Sequence, residues 1–70
     1  MMTDISVTVE HKGSTTVVTL PQGSKISDVL AQLKLFADAH IVLRGKNPVP
    51  INSEAVDGER LKVIKVASGG

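Results

Sequence analysis

The spacing of the apolar residues changes once along this chain, and this change limits the folds that are open to it. Up to Leu20 the apolar side chains alternate with polar ones, which is typical of strands with one buried face. Pro21-Gln22-Gly23 then interrupts the alternation, because proline lacks an N–H for a continuing ladder and glycine permits a sharp turn. From Ser24 the apolar residues follow a helical spacing. The pattern predicts an α+β domain.

The two sides of this break predict a β-hairpin and one amphipathic helix. The hairpin turns at His11-Lys12-Gly13-Ser14, between two segments rich in β-branched residues. We expect a helix of about three turns, with Ser24 as its N-cap and Asp28 near the positive end of the helix dipole. The apolar stripe of this helix consists of Ile26, Val29, Leu30 and Leu33, and the core is closed after it by Leu35, Phe36 and Ala37.

Three further strands are predicted after the helix. His40–Arg44 forms the third strand, and Val49, which stands between two prolines, restricts the fourth to a short piece at a sheet edge. Residues 52–59 form a loop around Asp57-Gly58, and Arg60–Val66 forms the last strand. With the helix on one face of a mixed sheet, the strand periods predict that these residues face it: Ile5, Val7, Val9, Val18, Leu20, Ile41, Leu43, Leu61 and Val63.

Composition excludes several classes of function. The 70 residues suffice for one domain, and their net charge of +1 is spread along the chain without a basic block. Phe36 is the only aromatic residue, so neither a base-stacking surface nor an electrostatic footprint for nucleic acid is present. Cysteine is absent, and no apolar run has the length of a membrane span or of a signal peptide. We expect a soluble, monomeric, cytoplasmic protein that binds neither nucleic acid nor membrane.

The C-terminal sequence Val66-Ala67-Ser68-Gly69-Gly70 is the feature most open to a chemical role. Two glycines leave no side chain at the tip, so a narrow enzyme channel can admit the terminal carboxylate without steric resistance. We therefore divide the chain into a folded domain, residues 1–66, and a flexible tail, residues 67–70. Gly70 would carry the reactive carboxylate and Gly69 would give access to it. The alternative is an inert, frayed chain end.

The chain resembles the ubiquitin-like β-grasp sulfur carriers and modifiers. The resemblance covers nearly the whole chain. It rests on the order of elements, on the segment that leads into the last strand, Asp57-Gly58-Glu59-Arg60-Leu61-Lys62-Val63, and on the ending Ser68-Gly69-Gly70. It is closest to the thiamin sulfur carrier, the small subunit of molybdopterin synthase and the small archaeal modifier proteins. Lys25 departs from the pattern, since a capping threonine is common there. The implied fold is a β-grasp: a mixed sheet of four to five strands with one helix across one face.

The resemblance also implies a chemistry in which this protein is a carrier and not an enzyme. A ubiquitin-activating-type enzyme would use ATP and Mg²⁺ to adenylate Gly70. The product would become either a thiocarboxylate, which donates sulfur to thiamin, molybdopterin or tRNA, or an isopeptide with a target lysine. The partners would be the adenylating enzyme and either a sulfur-accepting enzyme or a target protein. If copies of the protein are joined to one another by isopeptide bonds, the acceptor is one of Lys12, Lys25, Lys34, Lys46, Lys62 or Lys65. An inert β-grasp interaction domain is the alternative function.

A docking surface is predicted on the sheet face away from the helix. Extending the strand periods places four aliphatic side chains there, close to the tail: Val17, Val42, Ile64 and Val66. Isolated aliphatic residues on an exposed sheet are an equally common explanation, and a shift of one residue in register would exchange the two faces.

The remaining polar residues are expected to be ordinary surface groups. His11 and His40 lack the cysteine or carboxylate partners of a metal site, so we expect a turn histidine, a strand-edge histidine and no metal. Asp57 and Glu59 flank a turn glycine and are interpreted as solvated. The cationic residues near the last two strands suit either a solvated face or an acidic partner: Arg44, Arg60, Lys62 and Lys65.

Overall fold

The hairpin and the change to a helix are found where the sequence predicts them. A computed structural model describes residues 3–66, and residues 1–2 and 67–70 lie outside the described part. Strand β1 spans Asp4–His11 and strand β2 spans Ser14–Pro21, paired antiparallel from Asp4↔Pro21 to His11↔Ser14. Lys12 (φ 52°) and Gly13 (φ 76°) form the turn. Positive φ at both central residues is what a tight hairpin turn requires, because it matches the twist of the strands.

Helix α1 is shorter than predicted and has a different N-cap. It spans Ile26–Gln32, about two turns instead of three, with Lys25 at the N-cap position. The Asp28 carboxylate accepts the Lys25 N–H at 2.8 Å, whereas the Ser24 hydroxyl donates to the Pro21 carbonyl at 2.7 Å. Ser24 therefore closes the preceding turn, and the prediction that it caps the helix is wrong.

The C-terminal end of α1 is a Schellman motif. Leu33 is the C-cap, the Leu35 N–H bonds the Leu30 carbonyl at 2.9 Å, and the Lys34 N–H bonds the Ala31 carbonyl at 3.1 Å. Lys34 adopts φ 59° at the position where glycine is usual. This turn ends the helix and points the chain toward a short 3-10 helix, Ala37–Ala39.

Three strands complete a five-stranded mixed sheet. They are β3 (His40–Arg44), β4 (Asn47–Val49) and β5 (Arg60–Lys65), and the spatial order is β2-β1-β5-β3-β4. Strand β5 lies at the centre, parallel to β1 and antiparallel to β3. The short strand β4 is at an edge, as the prolines on both sides of Val49 predicted.

The core lies between α1 and the sheet. Seven of the residues predicted to face the helix are buried: Ile5, Val7, Val9, Val18, Leu20, Leu61 and Val63. Two are not, because Ile41 is 43% exposed and Leu43 is half-buried without packing on the core, while Val42 between them is 2% exposed. Phe36, expected to close the core, is 78% exposed, although Leu35 and Ala37 do pack against the core.

The loop between β4 and β5 closes the other end of the core. Its carbonyls accept the first helical N–H groups, Ile26 to Ser53 and Ser27 to Ile51, both at 2.8 Å. The Ala55 N–H in turn bonds the Ser24 carbonyl at 2.8 Å, and the Ala55 side chain is buried. The helix N-terminus is therefore satisfied by the protein's own backbone. No helix in residues 3–66 has the length and apolarity needed to cross a bilayer.

Candidate functional site

The last strand leads the chain to a fixed point from which the tail departs. Strand β5 is paired on both sides, and beyond its end the Val66 N–H donates to the Ala39 carbonyl at 2.8 Å. This hydrogen bond ties the last described residue to the 3-10 helix before β3. Gly69 and Gly70, the predicted reactive residues, lie outside the described part of the chain, and so does the predicted division at residue 67.

The predicted docking surface is wrong in one of its four residues, Val42. Val17 and Ile64 are exposed on the face away from the helix, at 63% and 40%. Val42 is buried in the core, and Val66 is half-buried beyond the end of β5. Ile41, and not Val42, is the residue of β3 that is exposed on the face away from the helix. It lies directly opposite Ile64 in the β3–β5 ladder.

The error in β3 has a clear physical origin. Ile41, Val42 and Leu43 form an uninterrupted apolar run, so alternation alone does not indicate which face is buried. The pairing Val42↔Val63 decides that Val42 faces the core, since directly paired residues share a face of the sheet and Val63 is in the core.

A contiguous apolar patch remains on the open face. It consists of Ile41, Leu43 and Ile64, which we call the β3–β5 patch. Lys62 lies opposite Leu43, and Arg60 follows on the same face of β5, so basic side chains border the patch. Val17 does not belong to it, because two strand spacings and four residues separate Val17 from Ile64, roughly 16 Å.

A buried carboxylate fixes the approach to β5. Glu59, expected to be solvated, has a side chain only 8% exposed and pairs with Arg44 through Oε1 and Nε at 2.5 Å. Its Oε2 accepts the Val56 N–H at 2.6 Å and the Arg44 Nη2 at 3.2 Å. Hydrogen bonding to Glu59 is the main cause that raises the pKa of Arg44, burial acts in the opposite direction, and the negative charge of Glu59 adds to the rise. Arg44 is thus occupied within the protein and is not a free charge for a partner.

Asp57 also has a structural role. Its Oδ1 accepts the Ser6 N–H at 2.8 Å, and the following Gly58 N–H donates to the Ser6 carbonyl at 2.8 Å. The Asp-Gly turn therefore binds β1 and starts the parallel β1–β5 pairing. Neither acidic residue is arranged for acid–base catalysis.

The two histidines are adjacent, which their positions in the sequence did not predict. Their ring centroids lie 5.4 Å apart at an interplanar angle of 66°. Among residues 3–66, no group of three or more His, Cys, Asp or Glu side chains converges on a metal position.

The architecture is similar to that of ubiquitin and ubiquitin-like domains. Caldiarchaeum subterraneum ubiquitin matches with a TM-score of 0.73 at 15% identity, over 97% of this chain and 100% of that one. The N-terminal ubiquitin-like domain of the 4931431F19Rik protein matches at 0.74 and 16%, over 96% and 79%. A de novo protein designed on the basis of ubiquitin matches at 0.77 and 14%, over 94% and 93%.

These similarities establish the fold. The chain has a ubiquitin-like fold, with a five-stranded mixed sheet and one helix, which confirms the predicted fold class. No protein-family model matches the sequence, and no curated protein matches it. Membership of the sulfur carriers or of the small archaeal modifiers stays a prediction.

Proposed function

We propose that this protein is a ubiquitin-like carrier whose Gly70 carboxylate is activated by an adenylating enzyme. The observation that carries the proposal is the path of the chain: a central strand, paired on both sides, leads to a hydrogen-bonded Val66, after which the sequence ends in Gly69-Gly70. Small residues that follow a strand paired on both sides suit insertion into the active site of another enzyme. We place this activity in the cytoplasm.

The chemistry requires activation because a carboxylate has no good leaving group. A Gly70 carboxylate oxygen attacks the α-phosphorus of ATP and releases pyrophosphate, with Mg²⁺ on the enzyme neutralising the phosphates. Attack by hydrosulfide on the acyl-adenylate displaces AMP and leaves a thiocarboxylate. Attack by a cysteine thiolate displaces AMP and leaves a thioester, whose acyl group passes to a lysine amine with release of the thiol. The catalytic groups belong to the partners in both routes.

The β3–β5 patch is the proposed docking surface for the adenylating enzyme. Its three aliphatic residues lie on the strand that leads to the tail and on the strand beside it. Apolar side chains at the centre with Lys62 and Arg60 at the border suit a partner that has an apolar centre and an acidic rim.

Mass spectrometry of the protein from its native host tests the chemistry. Replacement of one oxygen by sulfur at Gly70 identifies the sulfur carrier, provided that fragment spectra exclude oxidation of methionine. Trypsin cleaves after Lys65, so a conjugated lysine would carry the remnant Val66-Ala67-Ser68-Gly69-Gly70. Absence of both products during growth that demands sulfur cofactors would contradict the proposal and favour the inert interaction domain.

Two aliphatic residues on the same open face provide a matched test of docking. Ile64→Ala should slow formation of the Gly70 product by about tenfold, the loss expected for one buried interface side chain worth roughly 1.4 kcal/mol. Val17→Ala removes an even more exposed side chain outside the patch and should leave the rate unchanged. Equal effects of the two substitutions would show that the patch is not the docking surface.

A further inference from the structure

The two histidines meet at the end of the sheet from which the tail departs. His11 is the last residue of β1 and His40 the first of β3, with β5 between them. Each lies two residues from a core residue of its own strand, Val9 and Val42, so both rings project from the face that carries the helix. This juxtaposition joins residues that are far apart in sequence, at a centroid distance of 5.4 Å.

The His40 ring is held in a defined orientation. Its Nδ1 lies 2.7 Å from the Phe36 carbonyl oxygen, which has no proton to give, so Nδ1–H is the donor. The lone pair of neutral His40 is then on Nε2. Histidines that bind metals have this same arrangement, with one ring nitrogen donating to a carbonyl and the other free for the cation.

The His11 ring has an unsatisfied nitrogen. Its Nε2 is buried and has no hydrogen-bond partner among the described residues. Buried polar atoms are nearly always paired, so an unpaired one requires an explanation, such as strain, a catalytic or redox role, an ordered water or a bound ion. Packing of the two rings edge to face explains their proximity but leaves this nitrogen without a partner.

We propose that His11 and His40 together bind one divalent transition-metal cation of the Zn²⁺ class. Two imidazoles bound through nitrogen at about 2.0–2.1 Å with a tetrahedral angle have ring centroids roughly 5.2 Å apart. The separation of 5.4 Å is therefore suited to joint ligation after rotation of the His11 ring, with His40 keeping its hydrogen bond to the Phe36 carbonyl. Two histidines supply two ligands, and water takes the remaining positions.

The position of the site gives it a structural consequence. A cation held by both rings would connect β1 to β3 across β5, at the end where Val66 bonds the Ala39 carbonyl. Because the unfolded chain does not hold the two histidines together, binding would stabilise the folded state in proportion to the logarithm of the metal concentration.

Lys65 provides an internal control on the electrostatics. It pairs with His40 in the β3–β5 ladder and is therefore on the same face, where its positive charge opposes a bound cation. Lys65→Gln should tighten metal binding. Lys62→Gln removes the same charge from the opposite face of the same strand and should change the affinity less.

Zinc titration of the purified protein, followed by calorimetry and by NMR of the histidine side chains, tests the proposal. We expect one Zn²⁺ per chain, shifts of both imidazoles, and binding at least about tenfold weaker in His11→Gln and in His40→Gln. The amide spectra of both variants must show that they remain folded. Zinc affinity that neither substitution lowers, or no shift of either ring at millimolar Zn²⁺, would overturn the proposal.

Thermal unfolding supplies a second readout, which would still detect zinc binding if one variant were destabilised. The wild-type midpoint should rise with added Zn²⁺, and His40→Phe, which retains an aromatic ring, should lose this rise. A rise of equal size in His40→Phe would also overturn the proposal.

Discussion

The two faces of the sheet differ in what they contribute to the protein. On the face covered by α1, the aliphatic residues of β1, β2 and β5 are at most 6% exposed, and the described core contains no buried polar or charged residue. On the open face, Val17, Ile41 and Ile64 are 40–63% exposed among threonines and basic side chains. The comparison shows that the buried apolar surface lies on one side of these strands, whereas the proposed docking surface lies on the other.

Strand β5 is where this separation is sharpest, because its residues alternate between the two roles. Leu61 and Val63 are in the core, whereas Arg60, Lys62 and Ile64 are exposed. Substitutions only three residues apart should therefore have unrelated consequences, and four predictions follow this contrast from the largest effect to the smallest.

Leu61→Ala should have the largest effect on folding. Leu61 is fully buried, so its truncation leaves a cavity and should lower the free energy of unfolding by about 2–5 kcal/mol. Urea denaturation measures the change, with Ile64→Ala on the other face of β5 as the control. A loss below about 1 kcal/mol for Leu61→Ala would contradict the assignment of the covered face as the source of stability.

Glu59→Ala should have an intermediate effect, because the Glu59 side chain is only 8% exposed and accepts hydrogen bonds from Arg44 and from the backbone. The substitution leaves the Val56 N–H and the Arg44 guanidinium without their acceptor, at a cost of about 1–3 kcal/mol. The exposed Glu54 offers a matched control, since Glu54→Ala keeps the backbone carbonyl that Arg44 contacts. Equal denaturation midpoints for the two variants would show that the Glu59 network contributes nothing.

The double variant Ile41→Ala, Ile64→Ala addresses the open face. Both residues lie outside the core and are 43% and 40% exposed, so the free energy of unfolding should fall by less than about 1 kcal/mol. Formation of the Gly70 product should fall much further, because the β3–β5 patch would lose two of its three residues. If the rate of Gly70 product formation fell only as far as the loss of folded protein explains, the open face would have no separate role in recognition.

Lys34→Gly should have the smallest effect and the opposite sign. Lys34 adopts a left-handed conformation that disfavours a Cβ, so glycine should stabilise the protein by up to about 1 kcal/mol. Lys46→Gly, in a turn without positive φ at that residue, should destabilise it by about 0.5–1 kcal/mol through the entropy of the unfolded chain. Thermal unfolding of both variants compares them. A shift of the same sign would contradict the strain at Lys34.

Much of the fold followed from local patterns. The alternation in β1 and β2 and the turn at Lys12-Gly13 predicted the hairpin correctly, because each depends only on neighbouring residues. The end of the helix was overestimated, since Leu33 continues the apolar stripe although a Schellman turn has already ended the helix there. Phe36 was misplaced for a related reason: an apolar residue after a helix is not necessarily buried.

The candidate sites depended on contacts between distant segments. Val42 and Ile41 lie on the faces opposite to those predicted. Three consecutive apolar residues do not show which face is buried, and the pairing of β3 with β5 decides it. Glu59 is buried because Arg44 reaches it from another strand, and the histidine pair exists because β5 brings β1 and β3 to the same end of the sheet.

The sequence by itself determined the order of strands and helix and the Gly69-Gly70 ending, because periodicity, turn residues and chain chemistry are local properties. Only the tertiary structure decided which side of β3 is buried, which aliphatic residues form one patch and which charged and imidazole groups become neighbours. These outcomes depend on register and strand order, and a difference of one residue in pairing reverses every side chain of a strand.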